Sequence, residues 1–372
     1  MFLALREMRH AKARYIFIMI IMLLVSFLVL FVTGLAKGLS QANISAIEGM
    51  SNSYFVMQGD AEQRFRRSQL GEDTLSQARS IVGEQQATPI AMQMSTVTVH
   101  DMAEKADVTF FAVDAEGGLL PAVSSGQGLT NEETGNTVVD AKLAKVGVQI
   151  GSVIRDQATG ASLTVIGFVE NQSFSHTPVM FVNIQDWQKM RGMMSSDADL
   201  LQSSLFNAIA LDITAEQAAA LSDELIGMEV ITKKQAIANI PGYAEEQKSL
   251  MMMIVFLYVI GALVLAVFFY VLTIQKTSQF GILKAMGTKS SYLAKSVMGQ
   301  VFLLSVASLS ASLLLIWGTH LMLPATMPFQ MTMSTAMTTS GLFVVMSLLG
   351  SLISVTQVAK VDALEAIGRV GA

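Results

Sequence analysis

Cysteine is absent from all 372 residues. That excludes disulfide frameworks, thiolate metal sites and cysteine nucleophiles together. Charge is scarce as well. Only 14% of residues are Asp, Glu, Lys or Arg, where soluble domains carry about a quarter. The net charge of −5 offers no basic field to nucleic acid. Histidine occurs at positions 10, 100, 176 and 320 only, and no H-E-x-x-H pair is present. A G-x-S-x-G nucleophile elbow is missing too, so no hydrolase chemistry is legible. Gly281 to Ser290 reads G-I-L-K-A-M-G-T-K-S, but five residues separate its glycines and Thr288 precedes the Lys. A phosphate-binding loop needs four, then Lys directly. We therefore expect no catalytic residues, no intrinsic cofactor and no nucleotide site in this chain.

What the chain has is apolar sequence. It is 52% hydrophobic, with mean hydropathy +0.51 and 25 methionines. Methionine fills irregular apolar packing and is also a soft metal ligand. Four stretches reach the roughly 20 residues that cross a bilayer: 15–35, 250–274, 297–323 and 337–358. None contains Asp, Glu, Lys, Arg or Pro. Unbroken helices follow from the missing proline. The missing charge argues against ion-coupled transport and against a channel with charged rings.

Lys and Arg flank these spans asymmetrically. Arg6, Arg9, Lys12 and Arg14 precede the first. Lys276, Lys284, Lys289 and Lys295 lie between the second and third, and Lys360 and Arg369 follow the fourth. The loop 324–336 carries no charge. The positive-inside bias then puts both termini in the cytoplasm and the long segment after span one outside. The first apolar run exceeds the roughly 7–15 residues of a signal-peptide core and reads as a retained anchor.

The resulting order is an N-terminal amphipathic segment (1–14), span one and stalk (15–50), an outside domain (51–240), stalk and span two (241–274), and a cytoplasmic segment (275–296). Span three (297–323), an outer loop (324–336), span four (337–358) and a cytoplasmic tail (359–372) complete it. In the outside domain, 54–57, 96–99, 108–113, 152–155, 162–169, 179–183 and 208–213 read as strands. The turn Ala158-Thr159-Gly160 joins two of them into a hairpin. Residues 74–82 and 215–226 read as helices, the second capped by Thr214. Residues 115–128 read as a mobile surface loop. The fold class is membrane α-helical, with four spans and an extracytoplasmic α+β domain. Pro241-Gly242 breaks the chain before span two.

Residues 277–287, Thr-Ser-Gln-Phe-Gly-Ile-Leu-Lys-Ala-Met-Gly, form a short amphipathic stretch. It is either a helix on the inner leaflet, held by lipid headgroups, or a coupling helix that docks into a partner. The stretch resembles the E-[FI]-G-[IV]-L-[KR]-A-[IM]-G signature of ABC-transporter permeases of the MacB/FtsX type. The tail Val361-Asp362-Ala363-Leu364-Glu365-Ala366-Ile367 is similar to that family's closing x-D-P-[LIV]-E-A-[LI]. Gln279 stands where the family has an acidic residue, and Ala363 where it has Pro. Asp140-Ala141-Lys142-Leu143-Ala144 and Val148-Gln149-Ile150-Gly151-Ser152 look like its outside-domain core. The resemblance narrows to the family's haem-exporting branch at Phe268 to Lys276, Met327-Pro328-Phe329, Ser175-His176 and Gly34 to Leu39.

The resemblance implies a homodimer of this chain with two copies of a separate ABC ATPase subunit, which hydrolyses the ATP. It also implies nucleotide-driven efflux of haem for detoxification. Two other functions stay open: FtsX-like signalling to a cell-wall hydrolase, and MacB-like extrusion of peptide or lipoprotein. The ATPase contact would be Gln279, Phe280, Gly281, Ile282, Leu283, Lys284, Ala285, Met286 and Gly287. Haem needs an apolar slot and an axial ligand from His, Met, Tyr or a carboxylate. The candidates are Glu48, Met50, Tyr243, Glu246, Met251, Met252 and His176, with no metal beyond haem iron.

Overall fold

The computed structural model describes residues 12–99, 105–194, 206–323 and 327–360. The basic flank at Arg6 and Arg9, His10, His100 and the tail motif from Val361 lie outside the described residues. Four helices are long and apolar enough to cross a membrane. They are helix one (Lys12–Glu48), helix two (Tyr243–Gln275), helix three (Ser290–Met322) and helix four (Met333–Lys360). The chain divides into two units, residues 39–247 and residues 1–38 with 248–372.

The outside unit is built on an 11-stranded sheet. Its strands are β1 (Tyr54–Gln58), β2 (Ala87–Val99), β3 (Lys105–Val113), β4 (Val123–Gly126), β5 (Asn136–Asp140) and β6 (Val153–Asp156). β7 (Ser162–Val169), β8 (Ser173–Phe174), β9 (Thr177–Asn183), β10 (Ala208–Leu211) and β11 (Met228–Thr232) follow. The main path runs β11-β1-β10-β2-β3-β9-β5-β7-β4. The pairs β3–β9 and β5–β7 are parallel; the other pairs are antiparallel.

Successive residues of a strand point to opposite faces, and here both faces are covered. Ile90, Met92, Phe111, Val113, Val179 and Phe181 share one core. Their neighbours Ala91, Phe110, Ala112, Met180 and Val182 share another with Trp187 and Met190. That explains the continuous apolar runs of β3 and β9, since strands buried on both faces lose the polar alternation. The first core also takes Ile44 and Ile47 from the end of helix one, Met50 just after it, and Ile240.

Most expected strands stand, several of them longer than expected. β2 begins at Ala87, nine residues before Thr96. β5, β8, β11 and the helix Ile184–Met194 are additions. Residues 115–128 differ from expectation. Val123–Gly126 is a strand on β7, and Leu119 is buried in the core; these apolar residues hold the segment down despite its Gly and Ser.

In the membrane unit the spans pack through Met22, Leu30, Leu265, Phe269, Val301, Leu304 and Phe343. Small polar residues line the helix contacts, which lets backbones approach in lipid. Ser305, Ser308, Ser312, Ser347 and Ser351 are buried, and Ser26 and Ser312 hydrogen-bond at 2.5 Å. Helix three starts at Ser290, seven residues before the apolar span at Val297, so the segment 275–296 is partly helical. Helix four starts at Met333, not Met337, because Thr332 caps it, its hydroxyl accepting from Thr335 N at 3.2 Å. The first turns of these two helices are polar.

Candidate functional site

The end of helix one, the start of helix two and the β8–β9 hairpin meet inside the outside unit. Ser175 and His176 form the two-residue hairpin loop, with φ of 49° and 67°. Two central residues with positive φ define the type I′ turn that favours Asn-Gly. Ser-His is strained there, and the turn is held from outside. Ser175 N donates to Asn43 O at 2.9 Å, and His176 N donates to Ala42 O at 3.0 Å. The hairpin's base is anchored as well. Lys142 Nζ donates to Ser173 Oγ at 2.6 Å, and Ser173 N donates to Ser45 Oγ at 2.9 Å. Asp140 accepts from the backbone N–H of Lys142 and of Gln172. Burial pushes the Asp140 carboxyl up and the Lys142 ammonium down from their ordinary values. The Asp140-to-Ala144 motif thus positions the hairpin that carries His176.

That placement sets the His176 imidazole beside helix two. Its Nε2 lies 3.2 Å from Glu246 Oε2. Asn43 Nδ2 donates to the same Glu246 oxygen at 3.1 Å and lies 3.3 Å from His176 Nε2. Glu246 Oε1 and Asn43 Oδ1 are buried and have no hydrogen-bond partner in this structure. His176 keeps 45% of its side chain exposed and Glu246 only 19%. Tyr243 sits one turn earlier, its hydroxyl 3.4 Å from Ser40 Oγ. Among the described residues, no group of three or more His, Cys, Asp or Glu could hold a bare metal ion.

The remaining candidates fall elsewhere. Glu48 is exposed and accepts from Gln41 Nε2 at 2.6 Å. Met50 is buried with Ile47 and Phe174 in the domain core. Lys233 donates to Met50 O at 2.6 Å and caps the end of helix one. Met251 and Met252 are exposed on helix two in the membrane unit. Asn43 was not expected. The signal for it is its place three residues after Ser40 on a helix that was read only as a stalk.

The 279–287 segment is the helix Thr277–Ala285 followed by Met286 and by Gly287 at φ 90°. Phe280 and Gly281 are buried. Phe280 packs against Leu293 and Val297, with Leu283 beside them. Gln279, Ile282, Ala285, Met286 and Gly287 are exposed, and Leu283 and Lys284 are half-buried. Next to this helix lies a buried polar cluster that sequence reading did not find. Lys276 Nζ donates to Tyr15 Oη, and Tyr15 Oη donates to Gln300 Oε1 at 2.9 Å. It ties Lys276, just after helix two, to helices one and three.

The MacB-like periplasmic core domain family matches residues 16–225, and the FtsX-like permease C-terminal family matches residues 251–363. A permease named for hemin transport, HrtB, of Staphylococcus haemolyticus is 28% identical over 98% of this chain and 99% of its own length. Its Staphylococcus epidermidis counterpart is 29% identical over 98% of this chain and 99% of its own. Among solved structures, the extracellular domain of the ABC-type transporter YknZ from Gram-positive bacteria aligns at 17% identity with TM-score 0.34. It covers 48% of this chain and 98% of that one. The periplasmic region of MacB from Actinobacillus actinomycetemcomitans aligns at 16% identity with TM-score 0.37, over 54% and 98%. The match to the periplasmic core spans more than half of the chain, and the second match covers the three later spans. The chain belongs to the MacB/FtsX-type family of ABC-transporter permeases.

Proposed function

We propose that the chain is the permease subunit of an ATP-driven exporter of haem. In this reading two copies assemble with two copies of a HrtA-like ABC ATPase, on the side of the membrane that holds both termini, the cytoplasm. The ATPases supply the energy, and the exposed residues of 279–287 receive it. Haem is the cargo, drawn from the cytoplasm or from membrane lipid.

One observation carries the reading: an exposed imidazole, His176, sits against the half-buried carboxylate of Glu246 beside acceptors that have no partner. A haem iron takes an imidazole ligand, and the carboxylate fixes the ring's orientation and strengthens it as a donor. The full-length likeness to permeases named for hemin transport points the same way. Met251 and Met252 remain candidates as soft ligands at the start of span two.

The test is the haem Soret spectrum and export rate of the purified complex with His176→Ala, Glu246→Ala and Met251→Ala. The expected outcome is a shifted or weakened band, with export reduced about tenfold or more, for His176→Ala or Glu246→Ala. Normal spectra and normal export in all three variants would overturn the reading.

A further inference from the structure

A second site lies in the outside unit, at a cleft of about 370 Å³. That volume is within the range of small-molecule pockets. Phe65, Phe174 and Ile240 form its apolar floor, and Met94 and Pro241 edge it. Phe65 and Phe174 meet edge to face at 6.3 Å between ring centroids. Around this floor stand three guanidinium groups, Arg64, Arg66 and Arg67.

The three are not equivalent. Arg67 and Arg64 both reach Glu62, which neutralises part of their charge. Among the described residues, Arg66 faces no carboxylate. Its hydrogen bond in this structure goes to the thioether of Met94, 3.9 Å away, a weak acceptor. A guanidinium binds a carboxylate through two parallel hydrogen bonds, and Arg66 has that capacity unused at the mouth of an apolar cleft. The backbone around it is strained on both sides. Glu62 and Gln63 have φ of 52° and 56°, and Ser175, which lines the cleft, has φ of 49°. Another, larger cleft of this unit has the opposite character, with Glu84, Asp114, Glu116 and Asp212 around Arg79. An anion would avoid it.

We propose that the Arg66 cleft binds an apolar anion by its carboxylate end, with the guanidinium on the carboxylate and the Phe65–Phe174 floor under the apolar body. Haem fits this chemistry through its propionates, and a fatty acid fits it through its single carboxylate. Naming haem rests on the proposed export; the carboxylate chemistry does not. If haem is the ligand, the cleft is a station for exported cargo. It adjoins the proposed iron site in sequence, because Ser175 lines it and His176 faces Glu246.

The test uses the full chain in phosphatidylcholine nanodiscs and protoporphyrin IX, whose fluorescence reports binding. It has no iron, so axial ligation plays no part, and failure of the haem-export reading leaves this test intact. Empty nanodiscs give the partitioning background. The expected result is saturable binding of protoporphyrin IX, loss of binding with its dimethyl ester, and binding about tenfold or more weaker in Arg66→Ser. Arg66→Lys should restore part of it. Displacement by oleate, absent in Arg66→Ser, supports the site with an acyl anion as its source. Failure of oleate to displace supports it with a tetrapyrrole. The Arg66 side chain is exposed and makes no ion pair among the described residues, so an unchanged thermal midpoint for Arg66→Ser checks the fold. Equal binding of the ester, or undiminished binding in Arg66→Ser, would overturn the proposal.

Discussion

A Cβ placed on Gly38 would lie 1.9 Å from the carbonyl oxygen of Pro328 and 2.9 Å from Phe329 N. On Gly34, one turn earlier, it would lie 2.5 Å from the Phe329 ring. Gln330 N donates to Gly34 O at 3.1 Å on the same face. Helix one therefore needs glycine at both positions to receive the outer loop. The atoms facing Gly38 are backbone and cannot rotate away. Gly38→Ala should cost about 1–3 kcal/mol through overpacking, read as a lower thermal midpoint of the purified chain. Gly318→Ala on helix three meets nothing within 4 Å and should be neutral or slightly stabilising, since Ala is the better helix former. Equal midpoints for the two variants would contradict the contact. Gly34 to Leu39 and Met327 to Phe329 were legible in the sequence only as separate likenesses to the haem-exporting branch. Nothing in their spacing said that they touch. Ser175-His176 was hidden for another reason: its turn type is normally signalled by Asn-Gly, and here the strain is held by carbonyls of Ala42 and Asn43, some 130 residues away.

Long apolar helices were the most legible elements, because a bilayer sets both their length and their composition. Their polar first turns were not, and helices three and four begin earlier than the apolar windows. Strands came through where β-branched and aromatic residues cluster, as in β3 and β7. β8, two residues long, gave no local signal, whereas β5 carries the β-branched run Thr137-Val138-Val139 and was overlooked. The 277–287 stretch was legible as amphipathic, yet its division of labour needed the structure. Phe280 points inward onto Leu293 and Val297, while Met286 and Ile282 are 69% and 45% exposed. Met286→Asp should leave the thermal midpoint unchanged and lower haem-stimulated ATP hydrolysis of the complex about tenfold, because it puts a charge on an apolar contact. Phe280→Ala should lower the midpoint as well, by about 3–5 kcal/mol of lost packing. Normal coupling in Met286→Asp would assign the segment to the inner leaflet instead of a partner.

For the assembled molecule, the absence of cysteine makes every introduced thiol unique. Helices one and two of the membrane unit carry apolar side chains that the single chain does not cover. Phe17, Ile20, Leu24 and Leu28 are 57%, 47%, 58% and 47% exposed, and their three- to four-residue spacing places them on one face of helix one. Helix two exposes Phe256, Ile260, Leu263 and Val267 at similar spacing. Lipid can cover such faces, and so can a second copy of the chain. Helix three also exposes apolar residues, Leu314 at 70% and Trp317 at 66%, so exposure alone does not separate a seam from a lipid face. The dimer reading does separate them, because helices one and two are the ones that continue into the outside domain and would carry motion to it. Leu24→Cys should form a disulfide between two chains in native membranes with a mild oxidant, in high yield and in a nucleotide-dependent way. Leu314→Cys should not, although it is the more exposed of the two. Both yields being equal and insensitive to nucleotide would leave the helix-one face to lipid and move the seam elsewhere. A strong Leu314 cross-link without a Leu24 one would place it on helix three.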